Sequence, residues 1–172
     1  EFLRIFQLNR GFIKPEIEGD QLRIVAEGPQ VHVMYFEIFV LSIVNELYTL
    51  AHPESVQIAA VQEGRKRLAQ KIKSIEDAEQ GITTRFPLEL FDFGTRRRYS
   101  AQWHEEVIQT LVKHPSASQW LKGTSNVLLA MRYGLIPIGT MAHEWLQTFQ
   151  AMPGVQLKFS QKEALEVWVK EF

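Results

Sequence analysis

The sequence contains no cysteine. A disulfide framework, a thiolate metal site and a cysteine nucleophile are therefore excluded, and a reducing, cytoplasmic setting is the expected compartment. Net charge is also scarce: 19 Lys and Arg face 20 Asp and Glu, for a formal charge of -1. The broad basic surface of a dedicated nucleic-acid binder is not expected, although Arg96-Arg97-Arg98 forms a local basic cluster. Long hydrophobic runs are lacking too. The longest apolar stretch, Val31 to Leu50, is interrupted by Glu37, Asn45 and Glu46, so it reads as a buried helix and not as a membrane span. No Walker A loop, Gly-x-Gly-x-x-Gly fingerprint or Gly-x-Ser-x-Gly elbow occurs, which disfavours standard nucleotide folds and serine hydrolases. The chain opens on Glu1-Phe2 with no signal-peptide pattern, and its natural start is expected to lie upstream.

What is present suffices for a sizeable core, either as one large domain or as a small domain joined to part of another: 172 residues of ordinary composition. Residues 11 to 35 alternate and turn like strands, with Gly19-Asp20 between two extended runs. From Met34 to Leu50 the apolar positions Phe36, Phe39, Val40, Ile43, Val44, Leu47 and Leu50 recur at threes and fours, which predicts a well-buried helix. A second helix is expected from Ser55 to about Ile75, with Arg65, Lys66 and Arg67 on a solvated face.

After Pro87 the pattern changes to short apolar runs alternating with helices, the signature of βα units on a parallel sheet. The first unit is Leu88 to Phe93 and a helix capped by Ser100, with Trp103, Val107 and Leu111 on one face. The second is Trp120-Leu121 and a helix from Asn126 to Tyr133, stopped by Gly134. The third is Leu135 to Ile138 and a helix carrying Trp145, Phe149 and Met152. A last helix opens on a capping-box pattern, Ser160 to Glu163, and runs to Phe172, so that the chain is expected to end inside a fold. A closed barrel of such units needs about eight strands, and about three are visible.

Three of these apolar runs end in Gly-Thr and open into a polar loop: Gly94-Thr95 before the arginines, Gly123-Thr124 before Ser125-Asn126, and Gly139-Thr140 before His143-Glu144. Glycine at a strand end lets backbone approach a ligand, and the threonine adds a hydroxyl beside freed amides. One pocket for an anionic substrate is the expectation. Arg96, Arg97 and Arg98 cannot all point the same way, so one or two face the pocket, and a solvated basic turn is an even alternative. Phe93 has two readings, a stacking surface for a flat substrate or a core aromatic. Thr124, Ser125 and Asn126 read first as caps of the following helix, a role compatible with anion binding at its N-terminus. His143 lacks the second histidine of a zinc-protease helix, since Gln147 stands four residues on, and no metal site is expected. What remains for it is acid-base work, anion binding or acceptance of phosphate, with Glu144 either orienting it or serving as surface charge.

Taken together, Phe91 to Arg98, Gly123 to Asn126 and Pro137 to Trp145 resemble the nicotinate phosphoribosyltransferase family in order and spacing. Upstream, Tyr35 to Ile38 through Leu41 to Glu46-Leu47 is similar to the helix that follows that family's N-terminal sheet. The resemblance implies an α/β chain with an α+β N-terminal part: residues 1–83 from a sheet-and-helix domain, and residues 84–172 as the first βα units of an irregular type II phosphoribosyltransferase barrel. It implies conversion of nicotinate and phosphoribosyl pyrophosphate to nicotinate mononucleotide and pyrophosphate for NAD synthesis, coupled to ATP hydrolysis, with Mg2+ accompanying the phosphates. By motif position His143 takes phosphate from ATP, Thr140 contacts nicotinate, and Phe93 and Arg96 match the aromatic and arginine of the related nicotinamide enzymes' pocket. Those relatives carry aspartate where this chain has Ser125, and a carboxylate there repels the nicotinate carboxylate, so the acid is the expected substrate. The family also implies a homodimer whose interface holds the site, completed by an N-terminal aromatic segment and later barrel loops. A nicotinamide or quinolinate phosphoribosyltransferase, or a non-catalytic phosphate-binding fragment, are the alternatives; no nucleic acid or membrane partner is expected.

Overall fold

A computed structural model describes residues 9–81 and 88–171. The expected domain boundary at residues 83–84 lies outside the described residues. Two compact units are present, Glu1–Ile138 and Gly139–Phe172.

The first unit opens with an antiparallel hairpin of β1 (Ile13–Glu18) and β2 (Gln21–Ala26), joined at Gly19-Asp20, where Gly19 takes a φ of 66°. A two-residue turn with positive φ matches the twist of the strands it joins, and glycine adopts that backbone without strain. The helix Phe36–Leu50 follows where the apolar spacing predicts one, but its burial departs from expectation. Phe36, Ser42 and Thr49 are buried on it, whereas Phe39, Ile43, Leu47 and Leu50 are exposed. The reason lies in what it packs against. Its contact with the strand-end turn at Thr95–Arg97 runs through charge, with Glu37 on Arg96 and Glu46 on Arg98, and among the described residues nothing covers its apolar stripe. By length and composition alone Gln30–Leu50 is apolar enough to cross a membrane, contrary to the sequence reading; the same two glutamates tie it to the α/β part of its own unit.

The helix Glu54–Gly81 is longer than the expected 55–75 because no glycine or proline interrupts it between Ile75 and Gly81. It supplies Ile72 to a core shared with Leu111, Ala117, Trp120 and Leu121, and Leu68 and Ile75 pack at its margin. Polar groups secure the same seam: the Trp120 indole N–H donates to Glu79 Oε2 at 2.6 Å, and the Ser116 hydroxyl donates to Glu76. A buried indole needs such an acceptor, which is why an acidic helix face and an aromatic core coexist here.

The α/β pattern is as expected. Strands β3 (Leu90–Asp92), β4 (Leu121–Thr124) and β5 (Ile136–Pro137) form a parallel sheet in the order β3-β4-β5, with Asp92 beside Thr124 and Thr124 beside Pro137. The register slips once, between Leu90 and Phe91. Helix Ala101–Lys113 links β3 towards β4, and Val127–Tyr133 links β4 to β5. Ser100 caps the first by accepting from the Trp103 amide at 3.0 Å, and Asn126 caps the second by accepting from Leu129 at 3.1 Å. Gly134, at φ 64°, ends it in the left-handed conformation. In Ala101–Lys113 the most buried positions are His104, Ile108 and Leu111, so the inward face is centred one residue beyond the predicted Trp103, Val107, Leu111 stripe.

The second unit contains the helices His143–Ala151 and Ser160–Glu171. Trp145 knits them: its ring meets Phe149 and Trp168 at centroid distances of 5.1 and 5.8 Å, and its N–H donates to the Ala164 carbonyl. The capping box predicted at Ser160 is not formed. Ser160 is itself helical and its hydroxyl donates back to the Leu157 carbonyl, because a 3-10 turn at Leu157–Phe159 leads directly into the helix.

Candidate active site

Two of the three Gly-Thr glycines serve the protein's own packing. A Cβ on Gly123 would stand 2.5 Å from the Ile136 carbonyl oxygen, so its absence lets β5 close against β4. A Cβ on Gly94 would meet Asp92 Oδ1 at 2.9 Å and His104 Nε2 at 3.1 Å. Gly139 alone of the three has nothing within 4 Å. Close approach is the shared reason for glycine at the first two positions, and the approaching group is protein.

Beneath the ends of β3 and β4 lies a buried polar knot that sequence reasoning missed. Asp92 Oδ2 accepts from the Thr124 hydroxyl at 2.6 Å and from His104 Nε2 at 2.8 Å; Asp92 Oδ1 accepts from the Gly94 amide at 3.0 Å. The Asp92 carbonyl accepts from the Ser125 amide at 2.8 Å, and Thr124 Oγ1 in turn accepts from the Asn126 amide at 3.0 Å. Burial pushes the Asp92 carboxyl up, but the hydrogen bonds from His104, Thr124 and Gly94, with the field of His104, bring it below its ordinary value. Asp92 is therefore an acceptor only, and His104 Nε2 must donate. His104 Nδ1 is buried with no partner. A signal existed in the sequence: Asp92 interrupts the apolar run Leu90 to Phe93, and His104 shares a helix face with Ile108 and Leu111. A charged strand residue and an inward histidine each require a partner when buried.

Above this knot the expected site residues separate by role. Phe93 follows Asp92 and is 50% exposed, so it is not part of the core of the described residues. Arg96 Nη1 donates to Glu37 Oε1 at 2.8 Å, Arg98 lies 3.5 Å from Glu46 Oε2, and Arg97 is exposed. The arginine triplet is thus partly neutralised by the helix Phe36–Leu50, a pairing that spacing alone does not show. Thr124 is fully buried and its hydroxyl is committed at both ends, so the expectation that it touches a ligand is revised to one of shaping the loop. The amides of Ser125, Asn126 and Leu129 are likewise satisfied internally, which reduces the anion site expected from freed amides at this helix start. Ser125 itself is half-buried, and its hydroxyl has no partner among the described residues. One open aromatic, one shared arginine and one available hydroxyl therefore stand at the C-terminal ends of adjacent parallel strands, where α/β folds place their ligands.

In the second unit Thr140 is exposed, and His143 is the first residue of its helix with 51% of its side chain exposed. Glu144 Oε1 lies 3.1 Å from His143 Nε2. Ala142 provides no side-chain cap, and Glu144 places a carboxylate in the first turn, where it is favoured by the helix dipole.

Comparison with known proteins gives a consistent answer. The model of the nicotinate phosphoribosyltransferase (NAPRTase) family matches residues 88–172. Nicotinate phosphoribosyltransferases of Herminiimonas arsenicoxydans and Chromobacterium violaceum are 52% and 48% identical over all of this chain, which spans 42% of each. The crystal structure of a Vibrio cholerae nicotinate phosphoribosyltransferase superposes with a TM-score of 0.71 at 31% identity, covering 94% of this chain and 36% of its own. A Porphyromonas gingivalis nicotinate phosphoribosyltransferase gives 0.68 at 28% identity, covering 98% and 40%. With motif order, sheet topology and whole-chain similarity in agreement, the chain belongs to the nicotinate phosphoribosyltransferase family.

Proposed function

We propose that this chain carries part of the active site of an ATP-coupled nicotinate phosphoribosyltransferase, a ligase-type glycosyltransferase of cytoplasmic NAD synthesis. The observation that carries the reading is the placement of Phe93, Arg96 and Ser125 at the ends of β3 and β4. Phe93 offers a face to a pyridine ring, Arg96 a cation to its carboxylate, and Ser125 a neutral donor to the same group. In the reaction the pyridine nitrogen attacks the anomeric carbon of phosphoribosyl pyrophosphate. The carbon–oxygen bond to pyrophosphate breaks, and nicotinate mononucleotide and pyrophosphate leave. The protein's part is to hold ring, sugar and leaving group in line and to balance charge as it moves.

His143 is assigned the phosphate-acceptor role: an imidazole nitrogen attacks the γ-phosphorus of ATP, ADP departs, and the phosphohistidine is later hydrolysed to inorganic phosphate. Its exposure and the neighbouring Glu144 carboxylate support that role. Thr140 contacts nicotinate, Asn126 shapes the Ser125 loop, and Mg2+ arrives with the phosphates. The assembly is a homodimer.

Incubation with ATP, nicotinate and phosphoribosyl pyrophosphate tests the activity. Mononucleotide formation supports the enzyme; binding without product supports a non-catalytic chain. Label from γ-labelled ATP should appear on His143 and vanish in His143→Ala, and an unlabelled parent chain during turnover rejects the phosphohistidine.

A further inference from the structure

We infer that Asp92 is a positioning residue that sets Ser125 and the Arg96-bearing turn against each other, so that discrimination between a pyridine carboxylate and a carboxamide depends on it. This rests on the nicotinate reading for its substrate, but the tether itself stands on geometry. Asp92 bonds both loops at once. Its carboxylate holds the Gly94 amide at the entry to the Thr95–Arg97 turn, and its carbonyl holds the Ser125 amide at the end of the neighbouring strand. Through the Thr124 hydroxyl the same carboxylate reaches the Asn126 amide. His104, 4% exposed on the helix Ala101–Lys113, supplies the remaining donor and fixes the carboxylate from below.

Every donor in the knot has one acceptor, and its polarity runs one way. The Asn126 amide donates to Thr124, Thr124 donates to Asp92, and Gly94 and His104 donate to Asp92. Chains of this kind are cooperative in a low-dielectric interior, so removing one hydroxyl loosens members it does not touch. Gly94 cannot acquire a side chain without colliding with the Asp92–His104 pair, which ties the glycine of the first loop to the same device. A selectivity that depends on the separation of a hydroxyl and a guanidinium is sensitive to displacements well under 1 Å, on the order of those that weaken a hydrogen bond.

The test uses Thr124→Val, which keeps the side-chain shape and removes the hydroxyl, with Thr124→Ser as the conservative rescue. In the intact chain, amide hydrogen exchange at Gly94, in the other loop, should accelerate about tenfold in Thr124→Val relative to core amides such as Ile108, and return in Thr124→Ser. The nicotinate-to-nicotinamide ratio of kcat/KM should fall about tenfold in Thr124→Val and recover to within about threefold in Thr124→Ser. Unchanged exchange at Gly94 overturns the tether. A ratio that stays constant while both rates fall together also overturns the inference, because that is what simple loss of folded protein produces. A parent chain inert toward both pyridines overturns the functional reading instead, and the exchange experiment then decides the tether alone.

Discussion

Ser125 and Asp92 show how differently two residues of one site are written in a sequence. Ser125 follows a Gly-Thr pair and is singled out through the resemblance as a candidate; Asp92 sits in the middle of the apolar run Leu90 to Phe93 and is meaningful only once Thr124 and His104 are seen beside it. Ser125→Asp should lower kcat/KM for nicotinate by about tenfold or more, because like charges placed together cost of order kilocalories, while nicotinamide is spared. Steady-state kinetics with both pyridines check it, and an unaltered preference for the acid removes Ser125 from the selection. Asp92 makes a prediction in pH. Its folded value lies below its unfolded one, so the unfolded chain binds the extra proton first, and stability rises with pH through that window. The contribution is complete above the unfolded value, about pH 4, and is lost as pH falls through the lower folded value. Urea midpoints should therefore fall more steeply below about pH 4 in the parent than in Asp92→Asn, and parallel profiles refute the assignment.

Helix caps and the alternation of short strands with helices were readable because they are local. Ser100, Asn126 and Gly134 each act where their chemistry predicts, and β3, β4 and β5 lie in the expected parallel sheet. Asn126→Ala should cost about 1 kcal/mol through the lost cap, read as a lowered urea midpoint at unchanged slope. What periodicity could not supply was the partner of each face. The Phe36–Leu50 helix has the right spacing for burial, yet its apolar stripe is open and its charged positions make the contact with the arginine turn, an outcome that depends on Arg96 and Arg98 arriving from far along the chain. Nor does a Gly-Thr pair say which atom approaches the glycine. At Gly123 it is the Ile136 carbonyl, so Gly123→Ala must push β5 from β4 and should destabilise by about 1–3 kcal/mol; a neutral effect in denaturation would show that the strands give way freely.

At the scale of the molecule, the chain is two compact units divided after Ile138, and it spans 42% of the length of its bacterial relatives. Family membership was legible from three short motifs because their order survives in sequence; the internal wiring that supports them was not, since hydrogen bonds between strands and ion pairs over dozens of residues leave no periodic trace. One such pair reaches beyond architecture. Glu37 holds Arg96, the cation assigned to the nicotinate carboxylate, so two anions have a claim on one guanidinium. Dissolved salt weakens both claims together: with a Debye length of about 10 Å at 0.1 M shrinking to about 3 Å at 1 M, what the substrate loses in attraction is offset by what its internal rival loses. The Michaelis constant for nicotinate should then vary little with ionic strength in the parent and rise steeply in Glu37→Gln, and equal slopes would sink the idea. Glu37 on this account is a built-in counterion, which makes the affinity of the pocket tolerant of the ionic composition around it.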